Sequence, residues 1–131
     1  MAIEWSDKLK IRNDKIDEEH RKWFQLANAF LMADAEKSAK ECGRTFFQYT
    51  QDHFYCEEAL MREVNFPYQD AHVSAHETLI TTLGKILDVV DKSVLSKDEL
   101  EDFLGYSLAT HIVTHDAKFV AFTRKNLGSA S

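Results

Sequence analysis

Apolar residues recur at helical spacing along most of this chain, and a single proline, Pro67, interrupts the pattern. A helix buries one face when apolar positions repeat every three or four residues. One proline and four glycines are too few for an all-β chain, which needs turn residues at close intervals. Long helices joined by short links fit instead. The 131 residues suit one domain, 1–131, and are too few for two. A hydrophobic content of 44% is enough for a packed core.

The pattern divides into an arm and four helices. Residues 1–17 lack a helical period and form an N-terminal arm, with Trp5, Leu9, Ile11 and Ile16 as apolar anchors. Asp17 is a candidate cap for a first helix from Glu18 to about Ala35, carrying Trp23, Leu26, Ala27, Phe30 and Leu31. A second helix spans about Ala39 to Val64 and stops before Pro67, because the residue preceding proline is pushed out of the helical region. A third runs from about Gln69 to Asp91. Ser96-Lys97-Asp98-Glu99 matches a capping box, in which Ser96 and Glu99 each satisfy a free backbone N–H. The fourth helix follows through Phe103, Leu104, Leu108 and Ile112 and continues, with a break, to about Leu127. Short links make successive helices antiparallel, so the expected fold is all-α: an up-down-up-down four-helix bundle over about 18–127.

The charge narrows the partners. A formal net charge of −6 argues against nucleic acid or an anionic membrane surface, since both select a basic face. No apolar run approaches the roughly 20 residues of a membrane span. The segment MAIEWSDKLK lacks the apolar core of a secretory signal. Cys42 and Cys56 lie on the second helix, about 21 Å apart at 1.5 Å per residue. A disulfide needs its Cα atoms within about 7 Å, so both thiols are expected free, as in a reducing compartment. These readings lead to a cytoplasmic monomer without membrane insertion.

The six histidines carry the chemistry. His20 is on the first helix, and His53 shares the second with Glu57. His72 and His76 share the third, while His111 and His115 share the fourth, with Asp116 next. Residues four apart on a helix differ by about 40° and share a face. His53 therefore projects with Glu57, and His72 with His76. Height agrees too. In alternating helices, a residue near one start, past the middle of the next, near a start and near an end all reach the same end of the bundle.

Nitrogen and carboxylate donors suit iron, zinc or manganese. No thiolate pair at CxxC spacing is present, which excludes a zinc knuckle. Seven donors exceed what one ion takes, so two metals are implied. Two octahedral ions offer about twelve positions. Two bridging carboxylates fill four, five imidazoles fill five more, and a bridging oxide fills two. About one position stays open, as end-on binding of a diatomic requires.

The ordered set His20 in IDEEHRKWF, His53-Phe-Tyr-Cys-Glu57, His72-Val-Ser-Ala-His76 and His111-Ile-Val-Thr-His-Asp116 resembles hemerythrin, in particular its single-domain bacterial form. With the IEW arm, the resemblance spans nearly the whole chain. It implies two iron ions joined by an oxo or hydroxo bridge. It also implies His20, His53, Glu57, His72, His76, His111 and Asp116 as ligands, with the carboxylates bridging. His72, His76 and His111 would hold one iron. His20 and His53 would hold the other, which keeps the open position. Phe54, Leu108 and Ile112 would line an apolar oxygen pocket.

Spacing and resemblance part company on the last ligand. His115 is four from His111 and shares its face, whereas Asp116 is five away, about 140° round an α-helix. The resemblance selects Asp116, and the metal count wants a second bridging carboxylate. A local helix distortion would reconcile the two, leaving His115 at the surface or behind the ligands. Ferritin-like centres use Glu-x-x-His pairs and more carboxylates; here no such pair lies at the candidate ligands. The resemblance therefore implies reversible dioxygen binding by a carrier or store that is not an enzyme. Such a protein would deliver oxygen to an oxygen-consuming enzyme. An oxygen or nitric oxide sensor or scavenger, and a di-iron oxidase, are the alternatives.

Overall fold

The structure is a computed structural model that describes residues 3–11, 13–33, 36–91 and 97–126. After a short 3-10 turn at Asp7–Leu9 come α1 (Asp14–Met32), α2 (Glu36–Glu63), α3 (Gln69–Asp91) and α4 (Lys97–His111). A π-helical turn at Ile112–Asp116 joins α4 to α5 (Ala117–Asn126), and together these form the fourth rod of an antiparallel up-down-up-down bundle. No strand occurs among the described residues, and no helix there is long and apolar enough to cross a membrane.

The helix boundaries have local causes. α1 starts earlier than the sequence suggested, and Asp17 is not its cap. The Asn13 side chain accepts the Ile16 N–H at 3.0 Å, satisfying one of the first unpaired donors of the helix. Asp17 lies one turn in, and its carboxylate accepts the Ile11 N–H at 2.9 Å, tying the arm to α1. α2 ends before Pro67, as expected, and its closure is made by the residues between. Asn65 takes a left-handed conformation at φ 54°, and the Phe66 N–H donates to the Met61 carbonyl at 3.0 Å. That is a Schellman closure, with its usual apolar contact between the two bonded residues, Met61 and Phe66. The proposed capping box at Ser96 lies outside the described residues.

Each helix turns one face inward. Trp23, Phe24, Ala27, Phe30 and Leu31 of α1 meet Phe46 and Phe54 of α2, and Leu104, Leu108 and Ile112 close the same core. Burying a large apolar side chain fully stabilises by roughly 1.5–3 kcal/mol, before conformational entropy is subtracted. A second cluster of Met61, Phe66 and Phe119 packs at the other side of the histidines. The arm docks through Ile3, whose N–H donates to Asn28 Oδ1 at 2.9 Å and whose carbonyl accepts from Asn28 Nδ2 at 2.8 Å. Gly105 leaves room for it: a Cβ there would come 3.1 Å from Ile3 Cγ2. Trp5, Leu9 and Ile11 are partly buried against the core, as expected of anchors, and Ile16 is buried at the start of α1. Cys42 and Cys56 are both free on α2.

Candidate metal centre

Helical spacing brings the candidate residues to one level inside the bundle. His20 of α1, His53 and Glu57 of α2, His72 and His76 of α3, His111 of α4 and Asp116 of the π turn are all buried, none more than 6% exposed. Burying two carboxylates is costly unless they are paired. Here they are surrounded by five imidazoles.

The donor atoms form two overlapping groups, each with its atoms within 4.8 Å of one another. One contains His72, His76, His111, Glu57 and Asp116; the other contains His20, His53, Glu57 and Asp116. In the first, His72 Nε2 lies 2.8 Å from Glu57 Oε1 and 2.9 Å from Asp116 Oδ1. His76 Nε2 is 3.2 Å from Glu57 Oε1, and His111 Nε2 is 3.2 Å from Asp116 Oδ1. In the second, the other oxygens face the other histidines. His20 Nε2 is 2.9 Å from Asp116 Oδ2, and His53 Nε2 is 3.6 Å from Glu57 Oε2. Each carboxylate thus divides its two oxygens between the groups.

The donor set fits a pair of cations better than it fits itself. His20 Nε2, His53 Nε2, both Glu57 oxygens and Asp116 Oδ2 are buried without a hydrogen-bond partner. His20 Nε2 is close to Asp116 Oδ2 but is not aligned to bond it. His76 Nε2 and His111 Nε2 point at each other across 3.1 Å. Only a shared proton or a cation relieves two lone pairs so placed. Unsatisfied buried polar atoms cost about 1–3 kcal/mol each, so their convergence here identifies a site built for metal.

The electrostatics follow from the same packing. Burial alone would raise the Asp116 carboxyl, but the charge and hydrogen bond of His111, with His20 and His72 beside it, hold it well below the usual carboxylate range. Burial pulls His72 down, yet its hydrogen bond to Asp116 and the close Glu57 carboxylate win and push it up to about 9. His53 is likewise raised against burial, chiefly by Glu19 and then Glu57.

The π turn explains how Asp116 joins His111. Its i→i+5 bonding, seen in the Ala117 N–H donating to the Ile112 carbonyl, widens the turn by one residue. Five residues then return the chain to the same face. The remaining residue is absorbed by His115, which belongs to neither donor group. Its half-buried ring lies 5.3 Å from His111 and 5.5 Å from His72. Burial, then the neighbouring His111 and His72, lower its affinity for a proton.

Behind the donors stand residues the sequence reading missed. Glu19 Oε2 lies 3.1 Å from His53 Nδ1, and Glu58 Oε2 lies 2.7 Å from His76 Nδ1. A carboxylate on the far nitrogen fixes the tautomer and aims Nε2 inward. Each glutamate adjoins a candidate ligand in sequence, but which histidine it meets depends on the neighbouring helix. Trp23 was read as core, and it is fully buried; its ring also lies 6.0 Å from His20, 6.0 Å from His53 and 6.3 Å from His111. Its position three residues after His20 was the available signal. Phe54 stacks on His76 at 3.8 Å and 6°, and Leu108 and Ile112 are buried in the same cluster.

Residues 12–122 match the hemerythrin HHE cation binding domain, and the chain belongs to the hemerythrin family. It is similar to the bacteriohemerythrin of Stenotrophomonas maltophilia, 29% identical over 126 residues, which are 94% of this chain and 82% of that one. It is 26% identical to the hemerythrin-like protein of Naegleria gruberi over 115 residues, 88% of each chain. The bacteriohemerythrin of Campylobacter jejuni subsp. jejuni is 26% identical over 119 residues, 87% of this chain and 90% of that one. The chain is thus a cation-binding bundle whose buried His, Glu and Asp cluster is compatible with a di-iron site.

Proposed function

We propose that this protein is a reversible dioxygen carrier or store, a cytoplasmic monomer that hands oxygen to an oxygen-consuming enzyme. The observation that carries the reading is the unequal sharing of donors. Glu57 and Asp116 face both groups, while the imidazoles divide into His72, His76 and His111 on one side and His20 and His53 on the other. Five imidazoles and two carboxylates would hold two irons, with Glu57 and Asp116 shared by both groups and fewer histidines on the His20 and His53 side. A ferrous pair, when bound, would supply the electrons with which dioxygen associates reversibly.

The rest is done by the chain's own residues. Glu19 and Glu58 hold His53 and His76 in the tautomer that directs Nε2 inward. Trp23, Phe54, Leu108 and Ile112 exclude water from the core side. No carboxyl beyond Glu57 and Asp116 enters either donor group, so no spare acid stands ready to drive oxygen onward to reduction. This favours binding over oxidase chemistry.

The test is optical. Protein loaded anaerobically with ferrous iron should hold two irons per chain, colour in air, and bleach under vacuum through repeated cycles. Irreversible oxidation with no recoverable adduct would overturn the carrier reading. Steady consumption of a reductant with dioxygen would replace it with an oxidase.

A further inference from the structure

A groove between α3 and α4 leads from the surface to the three-histidine side of the centre. Its volume is about 470 Å³, within the range of small-molecule sites. Its floor includes His111 and His115. The walls carry hydroxyls from both helices, Ser74 and Thr78 facing Ser107 and Thr110, and an aromatic pair, Phe103 and Tyr106. Tyr106 stands at the rim, 73% exposed. No Asp, Glu, Lys or Arg lines it.

That absence separates this groove from two others. The groove between α1 and α2, which reaches His53, is walled by Lys15, Glu18, Lys22 and Asp52. The groove between the arm and α5 carries Lys10, Arg124 and Lys125. A charged ligand gains nothing in the α3–α4 groove and loses hydration there. A flat, neutral molecule with hydroxyls at its ends gains stacking on Phe103 or Tyr106 and hydrogen bonds from the serines and threonines.

We propose that the α3–α4 groove binds neutral aromatic diols of the hydroquinone class, which serve as the electron donor that regenerates the reduced protein. The proposal rests on the di-iron reading for its redox half. A diol seated in the groove would meet the imidazole of His111, itself one of the three histidines on that side. It leaves the His20 and His53 side clear, so donor and oxygen do not compete for space. The step balances. The diol loses two electrons and two protons and leaves as the quinone. Two ferric ions, when bound, would take one electron each, and the protons would pass to water at the open mouth of the groove.

The experiment begins with binding, which needs no turnover. The purified full-length, iron-loaded protein is equilibrated under argon, in its reduced state, with 1,4-benzenediol, and the bound fraction is read by equilibrium dialysis. Thr78→Phe and Ser107→Leu each fill the groove. Thr78 is exposed, so its replacement leaves the core intact, and a thermal melt checks both variants. Retention should fall about tenfold or more in each, the loss expected when about 1.4 kcal/mol of contact is removed. In oxidised protein, reduction by 1,4-benzenediol should slow by the same factor, while reduction by dithionite is unchanged. Equal retention in the variants, or none in the parent, overturns the site. Retention abolished instead by Asp52→Asn places the diol in the α1–α2 groove and also overturns it. If two irons bind and oxygenate reversibly but no diol is retained, the oxygen reading stands and this one falls. If the diol is retained but reduction does not depend on the groove, the electron-donor role falls.

Discussion

Thr50→Val tests whether the buried indole of Trp23 is held by one hydrogen bond. Trp23 is fully buried, and its Nε1–H donates to Thr50 Oγ1 at 2.8 Å. The Thr50 hydroxyl in turn donates to the Phe46 carbonyl at 2.8 Å, so its lone pairs are turned toward the indole. Valine keeps the shape of threonine and removes the acceptor. An orphaned buried donor costs about 1–3 kcal/mol. At ~2.1 cal/mol/K of unfolding entropy per residue, a chain of 131 residues loses about 4 °C of melting temperature for each kcal/mol. The expected fall is therefore about 4–11 °C in chelator-treated protein. In iron-loaded protein it should be larger, because Trp23 abuts His20, His53 and His111 and a displaced ring also weakens metal binding. Thr50→Ser restores the acceptor and should recover most of the loss. Calorimetric melts of the three proteins, each with and without iron, decide the matter. A valine variant as stable as the parent, or a serine variant no better than valine, would refute the reasoning.

Five further outcomes are expected. Gly43→Ala should destabilise by about 1–3 kcal/mol in urea titration, since its Cβ would meet Leu87 Cδ2 at 2.6 Å and Phe30 Cε1 at 3.0 Å. Gly84→Ala, with its nearest neighbour at 4.0 Å, should instead stabilise by about 0.5–1 kcal/mol. Glu58→Ala should weaken metal binding about 10–100-fold in a chelator competition, because His76 loses the carboxylate on Nδ1. Asp116→Ala should abolish assembly of the metal pair while His115→Ala leaves iron stoichiometry intact; the reverse pair of results would assign the ligand to His115. Lastly, His72 is raised to about 9 by Asp116 and Glu57, so its proton stabilises the metal-free fold below about pH 6.5. That contribution is lost as pH rises through about 9, while metal uptake strengthens over the same window with proton release, measurable by calorimetry in buffers of different ionisation heat.

The helices and the level of the site were legible in the chain itself. Apolar spacing located four rods, the i, i+4 pairs His53 with Glu57 and His72 with His76 set their shared faces, and antiparallel order set their common height. These are local or additive properties: a period of about 3.6 and a direction for each helix are enough to derive them. What the sequence could not decide depended on contacts between helices. Asn13 rather than Asp17 caps α1, and Asp17, one turn inside the helix, holds the arm at Ile11 instead. Glu19 and Glu58 find His53 and His76 across helix interfaces, and no spacing along one chain segment reports that pairing. The last donor shows the division most clearly. A regular α-helix turns His115 toward His111 and carries Asp116 away. In the folded bundle the wider turn at Ile112–Asp116 brings Asp116 between His20, His72 and His111, where five imidazoles meet a second carboxylate.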